Sequence, residues 1–143
     1  MPENARRPMV IVVACVLESA EGTVLLARRP EGRPLAGLWE FPGGKVEPEE
    51  RAEDSLIREL GEELGVVIDR DDLAPLTFVS HAYEDFNLLM PLYLCRKWTG
   101  EVVAREGQEL NWVRPNELHR YKMPPADEPL KASLGALLQR GGH

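Results

Sequence analysis

The 143-residue sequence has only two cysteines, and they share no CxxC spacing, so neither a disulfide framework nor a thiolate metal site is expected. Cys15 and Cys95 each lie inside an apolar run, where a buried strand thiol is the simpler reading, and a reducing cytoplasm fits that. Long hydrophobic runs are missing too. The longest clear one, residues 9–17, follows a stretch with two arginines but is too short and too β-branched for a spanning helix, so no signal peptide or membrane anchor is expected. Positive charge is scarce: the net charge of -7 argues against duplex DNA or an anionic membrane as a partner. Aromatic residues are few, and no basic patch interleaves with them as a nucleic-acid reader would need. An acidic chain can still bind phosphates when a metal ion inverts the local field.

What is present is enough for one core. An apolar share of 43% over this length predicts a single domain spanning residues 1–143. Residues 9–17 are β-branched on both faces and read as a central strand, with Glu21-Gly22 turning the chain into Thr23–Arg28 to form a hairpin. The segment Arg29–Leu38, rich in proline, glycine and arginine, reads as a mobile, positively charged loop and a candidate substrate flap. Pro48 followed by acids signals a helix start, and the helix is expected over about Glu49–Leu64 with Gly65 as its breaker. Ala52, Leu56, Leu60 and Leu64 recur every four residues and make one packing stripe. Further strands are expected at residues 66–68, 76–81, 87–95 and 110–113, and a last helix at 128–140.

On that first helix Glu59, Glu62 and Glu63 stand at i, i+3 and i+4, so their carboxylates fall on one face and repel. Acid-rich helices are often merely solvated, and spacing alone leaves that reading open beside the other, a hard divalent cation such as Mg²⁺ or Mn²⁺ with oxygen ligands.

The residues around the acids resemble a known pattern. Gly44, Glu50, Arg58, Glu59, Leu60, Glu62, Glu63, Gly65 and Val66 match the Nudix box, Gly-x5-Glu-x7-Arg-Glu-U-x-Glu-Glu-x-Gly-U with U aliphatic, at every specified position. The resemblance implies an α/β (α+β) Nudix fold, in which a mixed β-sheet lies between helices and the box forms a loop-helix-loop. It implies Mg²⁺-dependent hydrolysis of a diphosphate linkage, with Glu59, Glu62, Glu63 and the backbone carbonyl of Gly43 holding the metal. Arg58 and Glu50 would pair to hold the loop against the helix, although a plain surface ion pair reads equally well. A cation meets the chemical need, because anhydride hydrolysis requires neutralising phosphate oxygens and deprotonating a water.

Other segments are similar to the MutT-type nucleoside triphosphate pyrophosphohydrolases: Ala27-Arg28-Arg29, Leu38–Lys45, Arg105-Glu106-Gly107-Gln108 followed by Trp112, and Pro124–Pro129. This likeness implies that Glu106 is a further metal ligand or water-positioning base, that Lys45 faces the triphosphate, and that Arg29 contacts the nucleotide. Lys45 is no P-loop lysine, because the Gly-x4-Gly-Lys-Ser/Thr pattern is absent. Asp127 departs from the asparagine found in members that destroy 8-oxo-dGTP. An ionised Asp only accepts, which suits guanine N1-H and N2-H₂ or the amine of cytosine, so the base stays open between oxidised guanine and a CTP-type pyrimidine. Phe78, Trp39, Tyr83 and Phe86 are candidate stacking partners or core fillers. The expected partner is a small nucleotide, with no nucleic acid and no membrane, for a monomer or homodimer. The alternatives are another nucleoside diphosphate derivative, such as a dinucleoside polyphosphate or ADP-ribose, and a non-catalytic nucleotide-binding Nudix module.

Overall fold

The computed structural model describes residues 7–141; most of the arginine-bearing N-terminal stretch lies outside them. Among the described residues seven strands form two sheets: β1 (Met9–Leu17), β2 (Val24–Arg28), β3 (Trp39–Glu40), β4 (Gly43–Lys45), β5 (Leu73–Ala82), β6 (Asn87–Cys95) and β7 (Glu109–Val113). Two α-helices join them, α1 (Ala52–Leu64) and α2 (Leu130–Gly141). No described helix is long and apolar enough to cross a membrane.

β1 is central, as its two-sided β-branching predicts. It runs parallel to β6 and antiparallel to β4 in a four-stranded mixed sheet ordered β4-β1-β6-β5. The other sheet, β3-β2-β7, is antiparallel. The hairpin expected between β1 and β2 is therefore corrected. The turn forms, with Gly22 N–H on the Ser19 carbonyl at 3.0 Å, but the strands share only the Glu18–Val24 bridge before diverging into different sheets. Both strands carry apolar residues on both faces, so each can be buried within its own sheet.

Alternation along β1 feeds two cores. Ala14 and Val16 join Leu88, Met90, Leu92 and Leu94 of β6, Val24 and Leu26 of β2, and Leu130, Leu134 and Leu138 of α2. Val13, Cys15 and Leu17 point the other way, onto Leu56, Leu60 and Leu64 of α1. Those three leucines are fully buried, which contributes roughly 1.5–3 kcal/mol each and clamps α1 to the sheet. Both cysteines are buried and free, as expected.

α1 begins at Ala52, three residues later than the acid-rich start suggested. Residues 47–50 form a turn instead, with Glu50 N–H bonded to the Glu47 carbonyl. Two bonds divert this segment from the helix: the Glu47 N–H donates to Ser55 Oγ, and Ser55 Oγ–H donates to Glu50 Oε1. The helix ends where predicted, at Gly65 in the left-handed region (φ 76°) with its N–H on the Gly61 carbonyl. Residues 66–68 make only the Val67–Thr99 bridge and form no strand.

Candidate functional site

Between the β4 edge of the mixed sheet and the β2-β3 edge of the other lies a cavity of about 650 Å³, within the size range of small-molecule sites. One end is acidic and belongs to α1, β4 and the 103–108 loop. The other is aromatic and belongs to the β5-β6 turn and the 3₁₀ turn Pro125–Asp127.

At the acidic end, β4 pairs with β1 through Gly44–Val13 and Gly43–Ala14 and carries its glycines past the side chains of α1. The Glu59 carboxylate packs directly on Gly44, where a β-carbon would stand 2.8 Å from Oε1. Glu63 lies one turn further on and lines the cavity together with Gly43, Gly44, Lys45, Glu40 and Glu106. Burial, and then a hydrogen bond and charge from Glu59, push its carboxyl up to about 9, and Glu106 and Glu40 add to the rise. Two facing carboxylates, both partly buried, are what a hard cation relieves, so the donor set fits a divalent metal. Glu62 points elsewhere. Its side chain is 55% exposed, with Oε1 3.5 Å from Arg58 Nη1, and with Glu106 it lines a shallow groove on the outer side of α1. Among the described residues no three Asp, Glu, His or Cys side chains form a closed cation cluster.

Arg58 reaches Glu50 with two bonds, Nε to Oε2 at 3.1 Å and Nη2 to Oε1 at 3.0 Å, in the paired geometry favoured by guanidinium and carboxylate. Arg58 and Ser55 hold the Glu50 carboxyl below its usual range. The fully buried Ser55, unremarked in the sequence, completes this lock between turn and helix.

At the other end Asp127 is 5% exposed and lines the cavity. Burial pushes its carboxyl up to about 7, with Glu40 and Glu128 contributing. Tyr83 and Phe86 stack at 5.0 Å along the same wall, and the Tyr83 hydroxyl accepts the Ala126 N–H at 3.1 Å, bracing the Asp127 turn. Phe78 is not there. It is 67% exposed on β5 opposite Pro91, on the sheet face away from the cavity-lining Leu88 and Met90. Trp39 also lies outside the cavity lining, edge-on to Tyr121 at 5.2 Å.

The loop after β2 closes on itself, with Arg29 N–H on the Leu38 carbonyl and Gly37 N–H on the Arg29 carbonyl, and contributes Arg29, Pro30, Arg33 and Leu35 to the cavity. Arg29 is ion-paired there, Nε to Glu40 Oε2 at 2.6 Å. Glu40 thus sits beside Arg29 and adds its charge at both Glu63 and Asp127. Its only signal in the sequence is its place between Trp39 and Phe41 in the segment leading to the box.

A NUDIX domain family model matches residues 13–133. The CTP pyrophosphohydrolase of Escherichia coli K12 is 40% identical over 131 residues, covering 90% of this chain and 93% of that protein. An 8-oxo-dGTP diphosphatase of Haemophilus influenzae is 36% identical over 131 residues, with 87% and 90% covered. Among solved structures, the E. coli ORF135 protein superposes with a TM-score of 0.79 at 36% identity, covering 93% of each chain. A MutT structure from work on Aliivibrio salmonicida and Vibrio cholerae gives 0.76 at 29% identity, covering 90% of this chain and 98% of that one.

Proposed function

Because the chain belongs to the NUDIX domain family, we propose that its acidic cavity end hydrolyses nucleoside triphosphates to monophosphate and pyrophosphate while the Asp127 end selects the base. It is a hydrolase of phosphoric anhydrides, related to enzymes named for CTP and for 8-oxo-dGTP, and its work is cleansing the nucleotide pool. One observation carries the reading: the partly buried Glu63, facing Glu59, lines one end of a cavity whose other end holds the buried acceptor Asp127.

The divalent cation that NUDIX hydrolases use, Mg²⁺ by our proposal, neutralises phosphate oxygens and acidifies water when bound. Glu59, Glu63, Glu106 and the Gly43 carbonyl would hold it, and Glu62 would join them by turning from Arg58. Glu106 lines the cavity and can take the proton of an attacking water. Lys45, exposed and lining the cavity, offsets triphosphate charge, and Arg29 adds to it when the nucleotide competes for the guanidinium held by Glu40. The Glu50–Arg58–Ser55 lock keeps the turn and helix in register. The free, buried thiols Cys15 and Cys95 support a cytoplasmic setting.

Product analysis with Mg²⁺ over 8-oxo-dGTP, dCTP, CTP, a dinucleoside tetraphosphate and ADP-ribose tests this, triphosphates giving monophosphate and pyrophosphate and the last two giving nucleotide products without pyrophosphate. Turnover concentrated in the triphosphates supports it. Turnover of only the last two, or of none, overturns it.

A further inference from the structure

Gln108 makes two hydrogen bonds that join separate parts of the site. Its Oε1 accepts the Glu106 backbone N–H at 2.8 Å, closing a turn over Gly107, whose φ of 76° permits the tight reversal. Its Nε2 donates to the Glu63 backbone carbonyl at 2.9 Å. That carbonyl also accepts the Arg105 N–H at 3.0 Å, and the Leu64 carbonyl accepts the Val103 N–H at 3.0 Å.

The last carbonyls of an α-helix lack donors within the helix. In α1 the loop carrying Glu106 supplies them, so the loop is fastened to the carboxylate-bearing helix. The two backbone bonds fix it only as far as Arg105. Beyond that, Glu106 and Gly107 are exposed and belong to no strand. What returns this stretch to α1 is the Gln108 amide, which needs an acceptor at one end and a donor at the other. Glutamate has no donor when ionised, and methionine offers neither group at useful strength.

We propose that Gln108 is a positioning residue that sets where Glu106 stands relative to the Glu59–Glu63 pair. The proposal rests on the reading that Glu106 acts in hydrolysis.

The test compares Gln108→Met, which keeps length and packing, with Gln108→Glu, Glu106→Gln and the double variant Q108M/E106Q. The readouts are kcat and KM with Mg²⁺, the melting temperature, and amide exchange over residues 103–108. Q108M is expected to lower kcat by about 10- to 100-fold, the scale of an ångström's misplacement. KM should stay within about threefold, global melting should be unchanged, and exchange should rise at Glu106. Q108E, which keeps the acceptor but loses the donor, should lose activity likewise and serves if Q108M folds poorly. The decisive result is the double variant, expected to be no slower than E106Q alone. Losses that multiply fully, or Q108M and Q108E at wild-type rate while E106Q is slow, overturn the role of Gln108. E106Q at wild-type rate overturns the reading of Glu106 itself, and with it this proposal.

Discussion

The Glu59 carboxylate occupies the space that a β-carbon on Gly44 would need. Gly44→Ala is therefore expected to turn that carboxylate away while leaving the sheet intact, since a flexible side chain and not backbone is what must move. Catalytic rate should fall about 100-fold with little change in melting temperature. A kcat within a few-fold of wild type would show that Glu59 does not act from this position.

Gly43→Ala should do the opposite. Its β-carbon would meet the Val13 carbonyl oxygen and lie 2.7 Å from Ala14 Cα, and neither can give without parting β4 from β1. Thermal unfolding should reveal a drop of several degrees, larger than for G44A. Equal melting temperatures for the two variants would contradict the packing described.

Glu63 makes the cation-free protein sensitive to alkali. Burial and Glu59 raise its folded-state value to about 9, against about 4.3 in an unfolded chain. The fold thus favours the protonated form. The stability this confers is complete below about pH 4 and is lost progressively as pH climbs to about 9. Melting temperature in EDTA should decline between pH 5 and 9, the decline should be shallower in Glu63→Gln, and Mg²⁺ should offset it in wild type only. E63Q should also lose orders of magnitude in rate. An E63Q melting curve as pH-dependent as wild type would count against the assignment.

Asp127, raised to about 7 chiefly by burial, changes its hydrogen-bonding character across the neutral range. Protonated, it both donates and accepts, as asparagine does; ionised, it only accepts. Between pH 6 and 8 the kcat/KM ratio of 8-oxo-dGTP to dCTP should fall by about tenfold, following the protonated fraction. In Asp127→Asn the ratio should be nearly flat with pH. A wild-type ratio independent of pH would remove Asp127 from base selection.

Phe86 and Phe78 offer a matched pair. Phe86 stacks on Tyr83 in the cavity wall, whereas Phe78 faces solvent on β5. Loss of a stacked base contact is worth ~1–3 kcal/mol, so Phe86→Ala should raise nucleotide KM about tenfold or more. Phe78→Ala should leave it unchanged. A KM effect from Phe78 alone would place the base on the wrong side of the sheet.

Helix α1 was legible in advance because local chemistry writes it. A four-residue leucine repeat gives its packed face, Gly65 its end, and the box its acids. Its start was misjudged because Ser55 bonds to both Glu47 and Glu50, a tertiary competition that proline-and-acid signals do not report. The β1-β2 hairpin failed for a related reason: turn residues specify a reversal but not whether the strands leaving it pair. Phe78 could not be distinguished from Phe86 by composition, since the face a strand residue occupies depends on register. Glu40 and Gln108 matter through partners far along the chain, Glu40 at Glu63 and Asp127, Gln108 at Glu63, which no spacing within the sequence reveals.

The pairing of Gly43, Gly44 and Lys45 with β1, reinforced by the Cys15 N–H on the Pro42 carbonyl at 2.9 Å, makes the turn that faces Glu59 a piece of the sheet. It is not an appendage that can fray on its own. Heat should accordingly silence the enzyme and melt its core in a single cooperative event.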